Sequence, residues 1–479
     1  MRKNVNEIQK VLQTHGYSMT TIITDVMKSF KLKSLCHQIK FKKEEGYSVT
    51  EILALMMMFP LMLLNSVHAL YRSHYENVTT MKKDAIYRMK NNQKMPWRSL
   101  LLGVNKRLKQ LVNPEGHVSD QSAFIIDDTI DARVGKKIEN ISIVHDHAGN
   151  KKGSKLGFKN LTLGLFDGKS FSPLDFSLHM EKKLKVKERK KQYQKEVDPR
   201  SPGAKRRKEC QDDKISNALK MLKRAVKHGF KAKYVLVDSW FSSKEFIRTI
   251  RELKDQSMHV VCGVRKDKRY YTYNEQKMNA KTLLATLKKE SKEKRCRKRN
   301  TRYYEVIVDY EGVGLVRLYF CRFPYQKKWR LFLSTDTSLT FLNMLEIYSI
   351  RWTIEVFFKE AKQHLKLGKC QSRDFDAQIA HVSTSYILYI FLAYFRRIND
   401  YESLGGLFES VNEELMEKNV AQKLWELFDE LLQVVIDALT DSGTIDLHAF
   451  KESPEYHDVK RLFEDSFLCN QLISVEKVA

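Results

Sequence analysis

Four residues in the C-terminal third of the chain, Tyr348, Arg351, Glu355 and Lys362, are spaced by 3, 4 and 7 positions. On a single helix they fall within an arc of about 60°. Tyr, Arg, Glu and Lys make a poor core face. They suit a solvated stripe laced by Arg–Glu and Glu–Lys pairs. They equally suit one acid flanked by phosphate ligands, because Arg grips a phosphate bidentately and Lys offers a point charge. Two aspartates upstream bear on that choice. The apolar run Ala123-Phe124-Ile125-Ile126 ends in Asp127-Asp128-Thr129, and Tyr234-Val235-Leu236-Val237 ends in Asp238. Both read as buried strands running into polar turns. Magnesium takes few protein carboxylates and fills its other positions with water and substrate phosphate. Two-metal phosphodiester chemistry needs a carboxylate set holding ions about 3.5–4 Å apart. Two strand-end acids and one helix acid fit that need. Glu360 lies about 140° around the helix from Glu355, and it and Lys359 fall off the face.

The elements that must position these residues follow from the pattern. Residues 1–115 read as helical; Ser48-Val49-Thr50-Glu51 resembles a capping box. The segment Tyr87 to Lys109 is basic, through Arg88, Lys90, Lys94, Arg98, Lys106, Arg107 and Lys109. It is either a DNA-touching face or an ordinary charged one. Residues 116–250 carry strands at Ala123–Ile126, Ile141–Val144, Leu161–Phe166, Ser172–Leu178 and Lys231–Asp238. Ser242 and Glu245 have capping-box spacing, so Asp238 sits where a strand passes into a helix, the usual lip of an α/β crevice. Residues 251–339 are β-rich, with candidates at Val260–Val264, Tyr303–Val308, Leu315–Cys321 and Trp329–Leu333 around a basic stretch, Lys288 to Arg302. Residues 340–400 turn helical, one helix covering about 342–366, and 401–479 remain helical. The fold class is α/β.

The chain has 479 residues and a formal charge of +27, from 85 Lys plus Arg against 58 Asp plus Glu. Such a surface attracts polyanions, nucleic acid first among them. The block 182–208 concentrates the charge in Lys182, Lys183, Lys185, Lys187, Arg189, Lys190, Lys191, Arg206, Arg207 and Lys208. It reads as a loop or charged helix able to contact DNA. Seven widely spaced cysteines (Cys36, Cys210, Cys262, Cys296, Cys321, Cys370 and Cys469) without a C-x-x-C imply reduced cytosolic thiols. No apolar segment follows the N-terminal charges, so no signal peptide is expected. The run Ile52–Leu64 is too short to span a bilayer and reads as a buried helix. His145-Asp146-His147 lacks matching ligands at zinc spacing and is read as lining the site or ending a strand.

The text Tyr348-Ser-Ile-Arg351-Trp-Thr-Ile-Glu355-Val-Phe-Phe-Lys-Glu-Ala-Lys362 reproduces the Y-R-E-K signature and resembles the insertion-sequence-four group of DDE transposases. Asp127-Asp128-Thr129 resembles that group's Asp-x-Thr, and Val235-Leu-Val-Asp238-Ser-Trp-Phe the segment around its second acid. The spacing, 111 residues from Asp127 to Asp238 and 117 to Glu355, agrees. The resemblance covers about 120–395. It implies an RNase H-like core (116–250 and 340–400) interrupted by a β-rich insertion (251–339); charge and helix patterns alone make 1–115 a helical DNA-end-binding region and 401–479 a helical region able to serve oligomerisation. It implies Asp127, Asp238 and Glu355 as catalytic metal ligands for two Mg²⁺ or Mn²⁺ ions, and Tyr348, Arg351 and Lys362 as phosphate ligands. Asp128 competes with Asp127, which the Asp-x-Thr register favours. Trp329 is either a buried strand residue or the counterpart of a base-holding tryptophan. The function implied is cutting of element ends at terminal inverted repeats and joining of 3′ ends to target DNA, by a homodimer in a bacterial cytoplasm at the nucleoid, with no membrane. A metal-dependent nuclease on the same core and a non-catalytic DNA-binding remnant are the alternatives.

Overall fold

The computed structural model describes residues 19–43, 45–61, 66–71, 81–146, 153–253, 257–265, 269–324, 326–398 and parts of 451–461. His147, Cys469 and the helices expected through 405–440 lie outside them. The chain divides into two compact units, residues 1–33, 45–86 and 394–479 in one and 34–44 and 87–393 in the other.

In chain order the helices are α1 (Met19–Ser29), α2 (Leu32–Gln38), α3 (Val49–Leu61), α4 (Val67–Leu70), α5 (Lys83–Lys90), α6 (Trp97–Val112), α7 (Val186–Arg189), α8 (Pro202–Gln211), α9 (Lys214–Lys227), α10 (Lys244–Glu252), α11 (Ala280–Lys289), α12 (Phe341–Ser349), α13 (Trp352–Gln363) and α14 (Phe375–Ile398). The first unit is helical where described. The capping box forms at α3: Ser48 N–H donates to Glu51 Oε2 at 2.8 Å and Glu51 N–H to Ser48 Oγ at 3.3 Å. Eight residues of α3 between Ile52 and Leu61 are buried, as expected of an apolar run too short for a bilayer.

The second unit is built on one sheet. Its strands are β1 (Ala123–Ala132), β2 (Ser142–Asp146), β3 (Gly153–Phe166), β4 (Phe171–His179), β5 (Lys182–Lys183), β6 (Tyr234–Val237), β7 (His259–Val264), β8 (Tyr270–Tyr273), β9 (Gln276–Asn279), β10 (Lys294–Cys296), β11 (Thr301–Tyr310), β12 (Gly314–Arg322) and β13 (Arg330–Ser334). The order is β5-β2-β3-β1-β6-β7-β13-β12-β11-β8-β9, with β4 on β3 and β10 on β11. β1, β6 and β7 are parallel; β3 and β4 run antiparallel beside β1. The β-rich stretch after β7 continues this sheet through β13.

Side chains of a strand alternate between faces, and here the two faces have different tasks. Phe124 and Ile126 join Leu161, Leu163, Leu165, Val235 and Val237 in a core with Met221 and Leu222 of α9 and Phe246 and Ile250 of α10. On the other face Phe357 of α13 and Tyr386 of α14 meet edge to face at 5.0 Å. Phe171 and Phe176 of β4 pack against them. Helices on both faces of a mixed sheet are the α/β arrangement expected. Gly157 of β3 is required by the approach of β1, since a Cβ there would stand 2.4 Å from the Asp131 carbonyl oxygen. Of the helices, α14 alone among the described residues is long and apolar enough to cross a membrane, and 78% of that stretch is buried within the fold.

The block 182–208 departs from its expectation at two residues. Arg206 and Arg207 are buried. Arg206 lies against Asp175 and Glu209, which also bind Arg98 and Arg224. Arg207 and Lys195 bind Glu139, Asp374 and Asp376. These arginines, and Arg98 of the upstream basic segment, are tied to buried carboxylates, which a charge count along the chain does not see.

Candidate active site

The acids come together through strand register. β1 and β6 pair in parallel up to Ile126 and Val237, so Asp127 and Asp238 follow side by side one step beyond. The expectation that the first strand stops at Asp127 is corrected: β1 runs on to Ala132 against β3, and the strand that ends there is its neighbour β6. Asp127 thus stands on a rigid strand at the point where the sheet loses its parallel neighbour. The Asp238 carboxylate accepts the Trp240 N–H at 2.9 Å, which fixes the turn. Alternation along β1 separates the two adjacent acids. Asp128 points to the α9 face, where Lys214 Nζ reaches it at 2.6 Å and Lys159 Nζ at 3.4 Å. Asp127 points to the α13 face.

The signature does not lie on one continuous α-helix, as the spacing suggested. α12 ends at Ser349 and α13 starts at Trp352. Between them Arg351 N–H bonds Tyr348 O at 3.1 Å, Thr353 N–H bonds Ile350 O at 3.0 Å and Ile354 N–H bonds Arg351 O at 3.3 Å, all three-residue steps. Three residues per turn eclipse positions i and i+3. The tight turn therefore stacks Arg351 over Tyr348, with the guanidinium 5.7 Å from the ring centre. From Arg351 the normal four-residue step reaches Glu355. The guanidinium bridges the cluster, donating to Asp127 Oδ2 at 2.8 Å and Glu355 Oε1 at 2.5 Å. Its Nε is buried without a hydrogen-bond partner among the described residues. Two turns further on, Lys362 Nζ donates to Thr129 Oγ1. The Tyr348 hydroxyl lies 3.5 Å from where a Cβ on Gly263 would stand, over β7.

Electrostatics set the cluster's appetite for cations. Burial pushes the Asp127 carboxyl up to about 7; Arg351 opposes this, while Asp238 and Asp128 add to it. Burial also acts on Asp128, but Lys214 and Lys159 outweigh it and hold that carboxyl below its ordinary value. Burial pushes Tyr348 up to about 12. Burial alone would lower the basicity of Arg351, yet Tyr348, Asp127 and Glu355 raise it. A guanidinium bridging two of three hard oxygen donors is a stand-in for positive charge, and carboxylate oxygens are the donors Mg²⁺ and Mn²⁺ prefer. As placed, no group of three acidic, His or Cys side chains among the described residues closes around a single ion. Asp127 and Glu355 offer the kind of oxygen donor a hard divalent cation takes, and Arg351 lies between them.

Other residues singled out in the sequence fall elsewhere. His145 is exposed on β2, its N–H on Glu181, and Asp146 pairs with Lys155 at 2.7 Å. Glu360 accepts from the Tyr389 hydroxyl at 3.3 Å. The N-cap of α10 is Ser243, not Ser242, because the Ser242 hydroxyl turns back to Ser239 O. Trp329 is half-buried ahead of β13 with Lys288 and Arg322 over its ring. Two residues escaped sequence reasoning. Trp240, 39% exposed, carries Lys214 Nζ 4.2 Å from its ring centre beside Asp238. Asp131 continues the Asp127 face of β1 into the interior. An apolar strand with acids every second or fourth position is the signal for the latter.

No curated protein matches this sequence. Two family models do. The transposase DDE domain matches residues 209–391, which include Asp238 and the whole of the Tyr348–Lys362 segment. The DDE superfamily endonuclease model matches residues 35–286, which include Asp127 and Asp238. Because that second match extends over more than half of the sequence, the chain belongs to the DDE superfamily endonucleases, and its domain is that of a DDE transposase.

Proposed function

We propose that this protein is the transposase of a bacterial insertion sequence. It binds the terminal inverted repeats as a homodimer at the nucleoid, hydrolyses a phosphodiester at each element end and joins the freed 3′ ends to target DNA. The observation that carries this reading is the Arg351 bridge between Asp127 and Glu355, with Asp238 at the adjacent register position. The order β4-β3-β1-β6-β7, three antiparallel strands followed by two parallel ones, supports an RNase H-like core. The strands from β8 to β13 then correspond to the insertion, which in this reading starts after β7 and not at residue 251.

In this reading Asp127, Asp238 and Glu355 hold two Mg²⁺ or Mn²⁺ ions. When bound, these supply the Lewis acidity that activates water or a 3′-hydroxyl and stabilises the leaving oxygen. The chain's own residues do the positioning. β1 and β6 fix two carboxylates on rigid backbone, and the turn at Arg351 delivers the third. Arg351 retains a buried Nε donor for a phosphate oxygen, and Tyr348 and Lys362 flank it. Phosphoryl transfer depends on such positioning and charge neutralisation. Residues 1–115 serve end recognition and 401–479 assembly.

The test is excision in cells from a donor plasmid carrying the gene's flanking DNA around a marker. Wild type should excise and reinsert the marker; Asp127→Asn, Asp238→Asn and Glu355→Gln at equal protein levels should not. Cutting without joining would indicate a nuclease. Equal background in all four would indicate a DNA-binding remnant.

A further inference from the structure

Strands β10 and β11 form a hairpin whose pairing ends at Cys296 and Thr301, leaving Arg297-Lys298-Arg299-Asn300 as its tip. The tip has a fixed shape. Arg297–Arg299 make one 3₁₀ turn, and Asn300 closes it at a φ of +44°, a left-handed conformation that asparagine adopts more readily than most residues. Thr301 is fully buried and its hydroxyl donates to Arg299 O at 2.8 Å. Arg295 donates to Asn300 Oδ1 at 3.1 Å. All four tip residues are exposed.

Carboxylates answer the neighbouring cations. Glu305 takes Lys294 at 2.9 Å, Glu293 takes Arg302 at 3.4 Å, and Glu346 of α12 takes Lys298 at 3.2 Å. The guanidinium groups of Arg297 and Arg299 have no hydrogen-bond or ionic partner among the described residues. Charge on a strand such as β10 keeps its edge from pairing with another chain. That need does not extend to the tip, which lies beyond the ladder. Two unanswered guanidinium groups on a fixed turn suit phosphate oxygens, which Arg grips bidentately.

The helix α12 sets the distance from this tip to the acids. Phe341 and Tyr348 lie two turns apart on one face of α12, about 10 Å along its axis. Phe341 stacks flat on Tyr303 of β11 at 3.9 Å, and Tyr348 meets Phe332 of β13 at 4.9 Å. Only β12 separates those strands, and two ladder steps are also about 10 Å. So α12 lies across the sheet, with the hairpin under its start and Arg351 just past its end. The tip begins three residues from Tyr303, about 10 Å further along the strand. It therefore stands about 10–20 Å from the site, or three to six nucleotides at about 3.4 Å per phosphate along one strand.

We propose that this hairpin tip is a DNA-backbone contact: Arg297 and Arg299 grip phosphates of the duplex a few nucleotides from the bond being cut. DNA as the partner rests on the function proposed above. Phosphate contacts carry no sequence information, so the tip fixes the register of the duplex and does not read it.

The test measures binding of the full chain to two duplexes of equal length, the gene's flanking DNA and a scrambled sequence, over a range of salt. Arg297→Gln with Arg299→Gln should weaken binding equally on both and lower the slope of log affinity against log salt by about 1.8, at about 0.9 per phosphate contact. Lys327→Gln with Lys328→Gln removes the same charge from two other exposed positions and should change the slope by less than half as much. An unchanged slope, an equal loss in the lysine pair, or a loss on one duplex alone overturns the proposal. Ethylation of phosphates three to six nucleotides from the cut should block wild type and make no difference to the arginine double variant. A protein that binds both duplexes through these arginines but never excises would sink the transposase reading alone. One that excises with an unchanged salt slope would sink this proposal alone.

Discussion

Asp127→Asn should make the metal-free protein more stable at pH 8 while abolishing its activity. The Asp127 carboxyl stands at about 7 in the fold against an ordinary 3.8, because burial and Asp238 outweigh Arg351. The folded value is the higher one, so the native state binds the extra proton between about pH 4 and pH 7. The contribution of Asp127 to stability is therefore whole below about pH 4 and falls as pH rises to 7. That interval of about 3 pH units, at about 1.4 kcal/mol each, gives a ceiling of about 4 kcal/mol lost by pH 8. Asparagine carries no charge to desolvate and still offers Arg351 an acceptor, so the substitution should recover part of that amount. Thermal unfolding of the two proteins without divalent metal should show the variant several degrees more stable at pH 8, with the gap narrowing steadily below pH 7 and closing near pH 4. Added Mg²⁺ should then raise wild type and not the variant, since a ligand stabilises only the state that binds it. A gap that does not change with pH, or a variant less stable than wild type at pH 8, would refute the electrostatic account of the site.

Four substitutions at other contacts have defined outcomes. Asp175→Asn strips the fully buried anion from Arg98, Arg206 and Arg224 and should cost about 3–5 kcal/mol in urea unfolding, the usual result of orphaning buried charge. Gly157→Ala forces a Cβ to within 2.4 Å of backbone oxygen and should destabilise the sheet. Gly263→Ala meets only ordinary contacts at 3.5–3.7 Å and should leave stability within about 1 kcal/mol, read in the same unfolding series. Thr129→Val removes the hydroxyl that seats Lys362 and should weaken binding to the gene's flanking DNA, measured by gel shift, with little change in unfolding midpoint.

Much of the site was legible because its logic is one-dimensional. A strand that ends in an acid, and a 3-4-7 spacing of Tyr, Arg, Glu and Lys, are visible along the chain. The preference for Asp127 over Asp128 came from a resemblance. Alternation separates the two in space: adjacent residues on β1 face opposite helices, and Lys214 of α9 and Lys159 of β3 bind Asp128. Where β1 stops could not be read, because its length past Asp127 depends on pairing with β3, distant in sequence. The break between α12 and α13 was equally hidden. Every residue from Ile347 to Ile354 has acceptable helix propensity, and no Gly or Pro marks the place of the three-residue hydrogen bonds. The buried arginines escaped for the same reason. Charge in sequence reads as surface until a carboxylate from another element is known to meet it.

Those arginines sharpen the argument from net charge. One network sets Arg98, Arg206 and Arg224 against Asp175 and Glu209; the other sets Lys195 and Arg207 against Glu139, Asp374 and Asp376. The first carries one excess positive charge and the second one excess negative, so together they cancel. None of the +27 of the chain is therefore held in these interior clusters. The excess belongs to residues outside them, including exposed Lys182, Lys183, Lys187, Lys191, Lys289, Lys298, Arg299 and Lys327. Exposed charge acts on a polyanion through counterion release, so affinity for DNA should fall steeply with salt. The site itself should respond differently. Asp127, Arg351 and Lys362 are partly desolvated and little screened, so salt should weaken binding far more than it slows cutting of DNA already bound. A parallel loss of both with rising salt would place the exposed lysines inside the chemistry and not around it.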